Sequence, residues 1–143
     1  MIFFMSHSST FKMPKVIHYC WFGKHPLPSL AVKCMKSWQK YCPDYQIIRW
    51  DESNFDININ TYTRQAYEAK KYAFVSDYAR LWILFKYGGI YVDTDLEIIK
   101  SIDKFLNDSF FSGFESMNYV PTAIMGAIKN HPLIEELLCI YQE

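Results

Sequence analysis

The 143-residue sequence lacks the features that mark several large classes of protein. Its 15 basic and 15 acidic residues cancel, so it has neither the basic patch of a nucleic-acid-binding protein nor a polybasic membrane tail. No G-x-x-x-x-G-K-[ST] segment occurs, which excludes a P-loop nucleotide site. Internal repeats and low-complexity segments are absent as well. We therefore expect no nucleic-acid partner.

Cysteine is scarce, and its spacing supports no metal site. The four cysteines form no C-x-x-C pair and no His/Cys pattern typical of zinc: Cys20, Cys34, Cys42 and Cys139. The apolar opening at residues 1–5 is too short for a secretory signal or a membrane span. We therefore expect reduced thiols, a cytoplasmic location and no transmembrane segment, with peripheral association at the inner face of the membrane left open.

The composition suits one domain with a sizeable core, since 50% of the residues are hydrophobic and 21% are charged. We expect residues 1–13 to form a flexible N-terminal extension and residues 14–143 to form the domain. Predicted strands cover residues 15–22, 45–50, 90–92, 97–100, 110–114 and 120–128, and predicted helices cover 29–41, 62–70, 72–87, 102–106 and 132 to the end of the chain. This alternation predicts an α/β fold with a mostly parallel sheet and flanking helices.

The most informative segment ends at two carboxylates one residue apart. Ile90, Tyr91 and Val92 favour a buried strand, and Asp93 and Asp95 follow it. Ligands bind at strand ends in open α/β sheets, and carboxylate oxygens suit Mg²⁺ or Mn²⁺ together with substrate phosphates. The pattern therefore indicates a metal-dependent enzyme acting on a phosphate-bearing substrate. A solvated turn is the alternative, because eight aspartates often produce one D-x-D by chance.

The helix predicted at 72–87 brings polar residues close to this strand. Its large apolar residues at positions 74, 75, 78, 81, 82 and 85 form one stripe that must face a core. Asp77 and Arg80 are three residues apart on the flank of that stripe, next to the small residues Ala73 and Ser76. An acid and a base flanked by small residues leave room for a ligand. The alternative is a surface ion pair that contributes well under ~1 kcal/mol.

Aromatic residues at the end of the first predicted strand are candidates for nucleotide binding. Trp21 lies beside Gly23, where its ring would stack on a base for roughly 1–3 kcal/mol; a core tryptophan is the alternative. Tyr19 and His18 are weaker candidates, because alternation along a strand places one of them in the core. We expect His18 to be a hydrogen-bonded core histidine rather than a catalytic base.

Taken together and in order, these motifs resemble a known family of enzymes. The matching segments are S-D-x-x-R at 76–80, Y-G-G-I-Y at 87–91, D-x-D at 93–95 and the opening P-K-V-I-H-Y-C-W-F-G at 14–23. They resemble the glycosyltransferases with the DxD-containing sugar-binding region. That group includes capsular polysaccharide glycosyltransferases, yeast-type initiating mannosyltransferases and, more distantly, the large glucosylating bacterial toxins. The resemblance covers roughly residues 14–133.

The resemblance implies a GT-A-like nucleotide-sugar-binding fold and a role for each motif. It implies that Asp95 binds Mn²⁺ or Mg²⁺, while Asp93 contacts the ribose and sugar of the donor, or the metal as well. These two are the candidate catalytic residues. The resemblance also implies that Ser76, Asp77 and Arg80 bind the donor, and that the sugar is transferred with retention of its anomeric configuration. Neither the composition nor the spacing identifies a nucleophile or a base.

The expected function is that of a metal-dependent glycosyltransferase, specifically a hexosyltransferase, in capsular or surface polysaccharide biosynthesis. A UDP-sugar donor is favoured over a GDP-sugar by the bacterial members of the resembling group, and a glycan or lipid-linked acceptor is expected. Two alternatives stay open. Members of this group usually continue beyond the position of residue 132, so a domain shortened at its C-terminus would be a nucleotide-sugar-binding remnant without turnover. The other is an aspartyl-phosphate phosphohydrolase, although Glu97 stands where that chemistry needs Thr or Val.

Overall fold

A computed structural model describes residues 12–113 and 122–142 of the chain. Over these residues, five strands form one sheet: β1 (Val16–Cys20), β2 (Gln46–Trp50), β3 (Gly89–Val92), β4 (Phe110–Ser112) and β5 (Ile124–Ala127). Four α-helices accompany them: α1 (Ser29–Tyr41), α2 (Thr61–Glu68), α3 (Tyr72–Tyr87) and α4 (Pro132–Cys139). Short 3₁₀ helices follow β3 and α4, at Asp103–Phe105 and Ile140–Gln142.

The strand order in the sheet is β2-β1-β3-β5-β4. Strand β1 pairs in parallel with both β2 and β3, whereas β5 is antiparallel to β3 and to β4. Four of these five strands therefore run in one direction, and β5 is reversed. The α/β fold with a mostly parallel sheet and flanking helices is confirmed.

Alternation along the strands divides the core between the two faces of the sheet. Ile17 of β1, together with Ile90 and Val92 of β3, packs with Trp38 on the face that α1 covers. Tyr91 of β3 belongs to the cluster on the opposite face, with the buried side of α3. Helices α2 and α4 contact α3 on that side. The domain thus has three layers, with the sheet between α1 and the other three helices.

The connection from α3 to β3 requires glycine at two positions. Gly88 and Gly89 have φ angles of 65° and 110°. A Cβ atom on Gly88 would lie 2.8 Å from the amide nitrogen of Lys129, and one on Gly89 would lie 2.9 Å from the carbonyl oxygen of Val16. The two glycines therefore allow β3 to begin directly after α3 and to pair with β1.

His18 is a buried, hydrogen-bonded core residue, as the sequence predicts. Its side chain lies in the core at 1% exposure. The Trp50 indole N–H donates to Nδ1 at 3.1 Å, and Nε2 lies 2.9 Å from the carbonyl oxygen of Gly88. Because the indole can only donate, Nδ1 accepts and Nε2 carries the proton. Burial lowers the pKa of His18 against the opposing effect of the Gly88 hydrogen bond.

The strand predicted at residues 97–100 is wrong, because this segment is irregular. Side chains of α1 bind its backbone in place of a neighbouring strand. The Trp38 indole N–H donates to the carbonyl oxygen of Leu96 at 2.8 Å, and the Ile98 N–H donates to the Ser37 hydroxyl at 2.9 Å. These bonds satisfy the polar backbone groups beside a buried Ile98 without extending the sheet.

The N-terminal boundary also differs from the prediction. Met13 is 2% exposed, and its N–H donates to the carbonyl oxygen of Leu106 at 2.9 Å. The flexible extension predicted at residues 1–13 therefore does not include Met13, while residues 1–11 lie outside the described part of the chain. Strands β4 and β5 lie within the strands predicted at 110–114 and 120–128, of which residues 114, 120 and 121 are outside the described ranges.

The helices agree with the predicted ones apart from their ends. The helix predicted at 102–106 is a three-residue 3₁₀ helix, and α4 ends at Cys139 before a second 3₁₀ helix instead of continuing to the end of the chain. Within residues 12–113 and 122–142, no helix combines the length and the apolar character needed to cross a membrane.

Candidate functional site

A cavity of about 500 Å³ lies at the carboxyl ends of β1 and β3. The two strands are parallel neighbours, so the residues that follow them meet at one edge of the sheet. Helix α3 contributes the other wall through its first two turns. The lining residues are Cys20, Trp21, Phe22, His25, Pro28, Tyr72, Ala73, Ser76, Arg80, Tyr91, Asp93, Thr94 and Asp95.

Arg80 joins three segments at the wall of this cavity. Its Nε–H donates to the carbonyl oxygen of Ser76 at 3.1 Å. Nη1 donates to the carbonyl oxygen and the hydroxyl of Thr122 at 2.7 and 2.8 Å. Nη2 lies 3.2 Å from one carboxylate oxygen of Asp77 and 3.2 Å from one of Asp93. The side chain is 7% exposed, so its charge is compensated by two carboxylates in a nearly buried position.

Asp93 is held on one side by Arg80 and on the other by Tyr91. The Tyr91 hydroxyl donates to Oδ1 of Asp93 at 2.9 Å, the same oxygen that faces the guanidinium. The ring of Tyr91 lies under that guanidinium, with its centroid 4.5 Å from Cζ. Burial raises the pKa of Asp93, and the charge of Arg80 and the Tyr91 hydrogen bond oppose that rise.

Asp95 differs from Asp93 in being exposed at the mouth of the cavity. The contacts of Asp93 use Oδ1 and leave Oδ2 to other ligands, as far as the described residues show. Over the same residues, no group of three or more His, Cys, Asp or Glu side chains could hold a metal ion. Two carboxylates nevertheless suit Mg²⁺ or Mn²⁺, which take one or two such ligands and complete their coordination with water and substrate phosphates.

Trp21 lies where the sequence predicts a base-stacking ring. It lines the cavity, is half-buried, and donates its indole N–H to the carbonyl oxygen of His25 at 2.7 Å. The loop that carries it is tied down by Glu52, which accepts from the Gly23 N–H at 2.5 Å and from the Tyr67 hydroxyl at 2.9 Å. These bonds fix the edge of the ring and leave a face for contact with a ligand.

Two predicted site residues lie elsewhere. Tyr19 is 5% exposed on the α1 face of the sheet, where its ring meets that of Trp38 at 5.7 Å in an edge-to-face arrangement. Its position in β1 directs it away from the cavity, because neighbouring Cys20 faces the α3 side. Asp77 is part of a second cavity of about 280 Å³ across Arg80, with Thr122 and Tyr141 among its lining residues. Burial raises the pKa of Asp77 against the effect of Arg80.

The cavity therefore gathers Trp21, Ser76, Arg80, Asp93 and Asp95, and the binding roles of these residues stay predictions. Sequence reasoning missed four more residues that line it or support it: His25, Tyr72, Thr94 and Thr122. Three of them could have been found from their positions: His25 lies in the loop after β1, Tyr72 begins α3, and Thr94 is the middle residue of the D-x-D. No signal marked the fourth, because its contact with Arg80 spans 42 positions.

Residues 28–111, more than half of the chain, match a family described as "Glycosyltransferase sugar-binding region containing DXD motif". The chain belongs to this family. The match includes α1, the whole of α3 and β3, and both aspartates at the cavity. This confirms the resemblance that the sequence motifs predict.

The curated proteins to which this chain is similar are longer than the chain itself. The chain is 29% identical over 130 residues to inositol phosphoceramide mannosyltransferase 3 of Schizosaccharomyces pombe, covering 88% of this chain and 36% of that protein. It is 36% identical over 63 residues to human alpha-1,4-N-acetylglucosaminyltransferase, covering 44% of this chain and 17% of that protein. The chain thus spans about a third of the length of the yeast relative.

A solved structure supports the fold assignment. The PaToxG glycosyltransferase superposes with a TM-score of 0.71 at 21% sequence identity, covering 90% of this chain and 59% of that one. At this identity the similarity concerns the fold alone. It confirms the GT-A-like fold that the resemblance implied.

Proposed function

We propose that this chain binds a nucleotide-sugar donor and, with a divalent cation, transfers its sugar to a glycan or lipid-linked acceptor. The observation that carries the proposal is the meeting of Trp21, Arg80, Asp93 and Asp95 at one cavity. The aromatic face corresponds to the base of such a donor, and the two carboxylates, one of them paired with Arg80, correspond to the metal ion that accompanies its phosphates. Family membership removes the main support for the phosphohydrolase alternative.

In this proposal, each residue acts on one part of the donor. Trp21 stacks on the base, with its ring held through the His25 carbonyl. Asp95 and the free oxygen of Asp93 hold Mn²⁺ or Mg²⁺, and a cation bound there stabilises the charge on the departing nucleoside diphosphate. Arg80 keeps Asp93 ionised beside it, because a neighbouring positive charge favours the carboxylate over the acid.

The proposed donor follows from the family resemblance, and the proposed acceptor follows from the names of the relatives. We propose a UDP-sugar as the donor, because the bacterial members of the resembling group favour it, and a GDP-sugar is the alternative. The names of the relatives include a mannosyltransferase acting on inositol phosphoceramide and an N-acetylglucosaminyltransferase. These names support a hydroxyl-bearing glycan or lipid headgroup as acceptor more directly than a capsular polysaccharide. A cytoplasmic location beside the inner face of a membrane completes the proposal.

Calorimetric titration with UDP and with GDP, in Mn²⁺ and then in EDTA, tests the donor site. We expect UDP to bind only with Mn²⁺ and Asp95→Ala to abolish that binding while circular dichroism stays unchanged. Asp56→Ala removes an exposed aspartate outside the cavity and is the matched control. A folded wild-type chain that binds neither nucleotide would overturn the proposal. Binding that persists in EDTA would remove the metal from it.

Release of UDP from UDP-sugars tests turnover separately. Sugar transfer to an added glycan or lipid acceptor, with retained anomeric configuration in the product, is the expected result. Donor binding without any UDP release would favour the alternative of a nucleotide-sugar-binding unit that does not turn over.

A further inference from the structure

All three nitrogens of the Arg80 guanidinium contact protein oxygens. Nε–H donates to the carbonyl oxygen of Ser76, and Nη1 donates to both oxygens of Thr122. Nη2 forms ion pairs with Asp77 and Asp93, each at 3.2 Å. The side chain is 7% exposed, so a donor N–H withdrawn from one of these partners would be difficult to replace with water.

We propose that Arg80 is a positioning residue, locked in place by Thr122, which sets the Asp93 carboxylate for the donor and its cation. The inference rests on the proposed function and departs from what the family resemblance implies, namely direct contact between Arg80 and the donor sugar. In the structure, Arg80 lines the cavity, while Nε and Nη1 are hydrogen-bonded to the protein and Nη2 is paired with two carboxylates.

Distances make Thr122 the main anchor of the guanidinium. Its two bonds to Nη1 are 2.7 and 2.8 Å long, whereas the carboxylates of Asp77 and Asp93 lie 3.2 Å from Nη2. Thr122 is also the partner farthest from Arg80 along the chain, two residues before β5. Bonds at both ends of the planar group prevent its rotation, so Nη2 stays between the two carboxylates.

Fixing the guanidinium determines which oxygen of Asp93 is available. Oδ1 accepts from the Tyr91 hydroxyl at 2.9 Å and faces Nη2 of Arg80. With Oδ1 used in this way, Oδ2 is the oxygen left for a cation. Residues that orient a metal-binding carboxylate commonly influence affinity by tenfold or more, although they never touch the metal.

The test compares Thr122→Val with Thr122→Ser. Valine keeps the shape and removes the hydroxyl acceptor, while serine restores it. We expect Thr122→Val to weaken Mn²⁺-dependent UDP binding about tenfold and Thr122→Ser to bind as the wild type does. Thermal unfolding is measured on the same samples, so that the affinity is compared between variants that are folded at the temperature of the titration. Thr61→Val, at an exposed position on α2, is the matched control.

A second comparison separates positioning from direct sugar contact. If Arg80 acts through Asp93, Arg80→Lys and Thr122→Val should weaken UDP and UDP-glucose by the same factor. A larger loss for UDP-glucose would overturn the proposal, since it would show that Arg80 bonds to the sugar. Unchanged affinity of Thr122→Val for both ligands would overturn it as well.

The guanidinium can also be observed without any ligand. In proton–nitrogen NMR spectra, a locked Arg80 should show separate, slowly exchanging Nη–H signals. Arg80→Lys removes them, and Thr122→Val should speed the exchange of the Nη1 proton that the hydroxyl accepts. Merged signals in the wild type would overturn the proposal. If the wild type binds no UDP, the proposed function and its positioning step fail together, and the NMR signals still show whether Thr122 holds Arg80.

Discussion

The two faces of the central sheet differ in what their side chains do, although both faces are built from the same strands. On the α1 face, Ile90 and Val92 of β3 pack with Trp38 in an apolar cluster. On the α3 face, Tyr91 of the same strand supports Arg80 and Asp93 with its ring and its hydroxyl. Neighbouring residues of β3 therefore point to opposite faces of the sheet, one into the apolar core and the next towards the candidate site.

This contrast shows how a short strand can serve both stability and function. The apolar face needs only shape and volume, whereas the polar face needs a partner for every buried donor and acceptor. Over the described residues, Asn60 Nδ2 and Asp108 Oδ2 are the buried side-chain atoms without a hydrogen-bond partner, and neither residue lines the cavity. The fully buried side-chain polar atoms that line the cavity thus have partners within the described residues, and we expect substitutions on the two faces to have separable effects.

The largest effect should come from the α1 face, through stability. Trp38 is fully buried, so Trp38→Ala should lower the free energy of unfolding by about 3–5 kcal/mol, measured by urea denaturation. Because the Trp38 indole also binds the carbonyl oxygen of Leu96 beside Asp95, the separation of the two faces is tested with Ile17→Val, another fully buried residue of this face, which should leave the affinity of the folded chain for UDP and Mn²⁺ unchanged. Ile17→Val should lower the free energy of unfolding by about 0.5–1.5 kcal/mol, so this variant should stay folded. A large loss of affinity in this variant would contradict the separation of the two faces.

Tyr91→Phe should have the opposite balance of effects. It removes the hydroxyl that donates to Asp93 and keeps the ring under Arg80. We expect a loss of about 1 kcal/mol in stability and about tenfold in Mn²⁺-dependent UDP affinity. Tyr45→Phe is the control, because the Tyr45 hydroxyl donates to Asp103 at 2.7 Å outside the cavity. Equal affinity losses in the two variants would show that the Asp93 contact has no special role.

Acidification should weaken cation binding earlier than an ordinary aspartate would. Burial raises the pKa of Asp93 above 3.8, and a protonated carboxyl is a poor metal ligand. The stability effect has the opposite sign: the contribution of Asp93 is complete below the unfolded pKa and is lost as pH rises through the folded pKa. Manganese affinity in the presence of UDP, measured from about pH 8 down to about pH 4, should fall on acidification, and protonation of Asp93 should not itself unfold the chain. A flat profile would contradict this.

The smallest effect is expected for Tyr19→Phe. Tyr19 packs against Trp38 on the α1 face, although its place near the end of β1 suggested substrate binding. The ring remains in this variant, so stability should change by about 1 kcal/mol at most. Titration with UDP and Mn²⁺ should give the wild-type affinity. A clear loss of affinity would return Tyr19 to the site.

Much of this fold could be predicted from local patterns. The apolar stripe of α3, the two glycines after it and the short run Ile90–Val92 each identify an element without knowledge of the rest. The segment 97–100 shows where such patterns fail. Its residues suit a strand, but its backbone is hydrogen-bonded to the Ser37 hydroxyl and the Trp38 indole instead of to a neighbouring strand. Whether a segment with strand propensity becomes a strand therefore depends on the hydrogen-bond partners that the tertiary structure supplies.

The candidate site was predictable to a similar degree. The D-x-D, Trp21 and Ser76 meet at the cavity because strand ends and the first turn of a helix follow directly from the order of elements. The side of the sheet on which Tyr19 lies was not predictable, because alternation tells which residues share a face and not which face carries the site. Asp77 was predicted beside Arg80 and does pair with it, but it faces a different cavity.

The sequence by itself therefore determined the element order, the family and the edge of the sheet where two carboxylates emerge. These follow from short-range spacing, whose physical rules act over a few residues. Only the tertiary structure decided that Thr122 holds Arg80 across 42 positions, and that Asp77 and Asp93 both pair with Nη2 of the same guanidinium. Contacts between distant residues are made by folding, and spacing along the chain contains no measure of them.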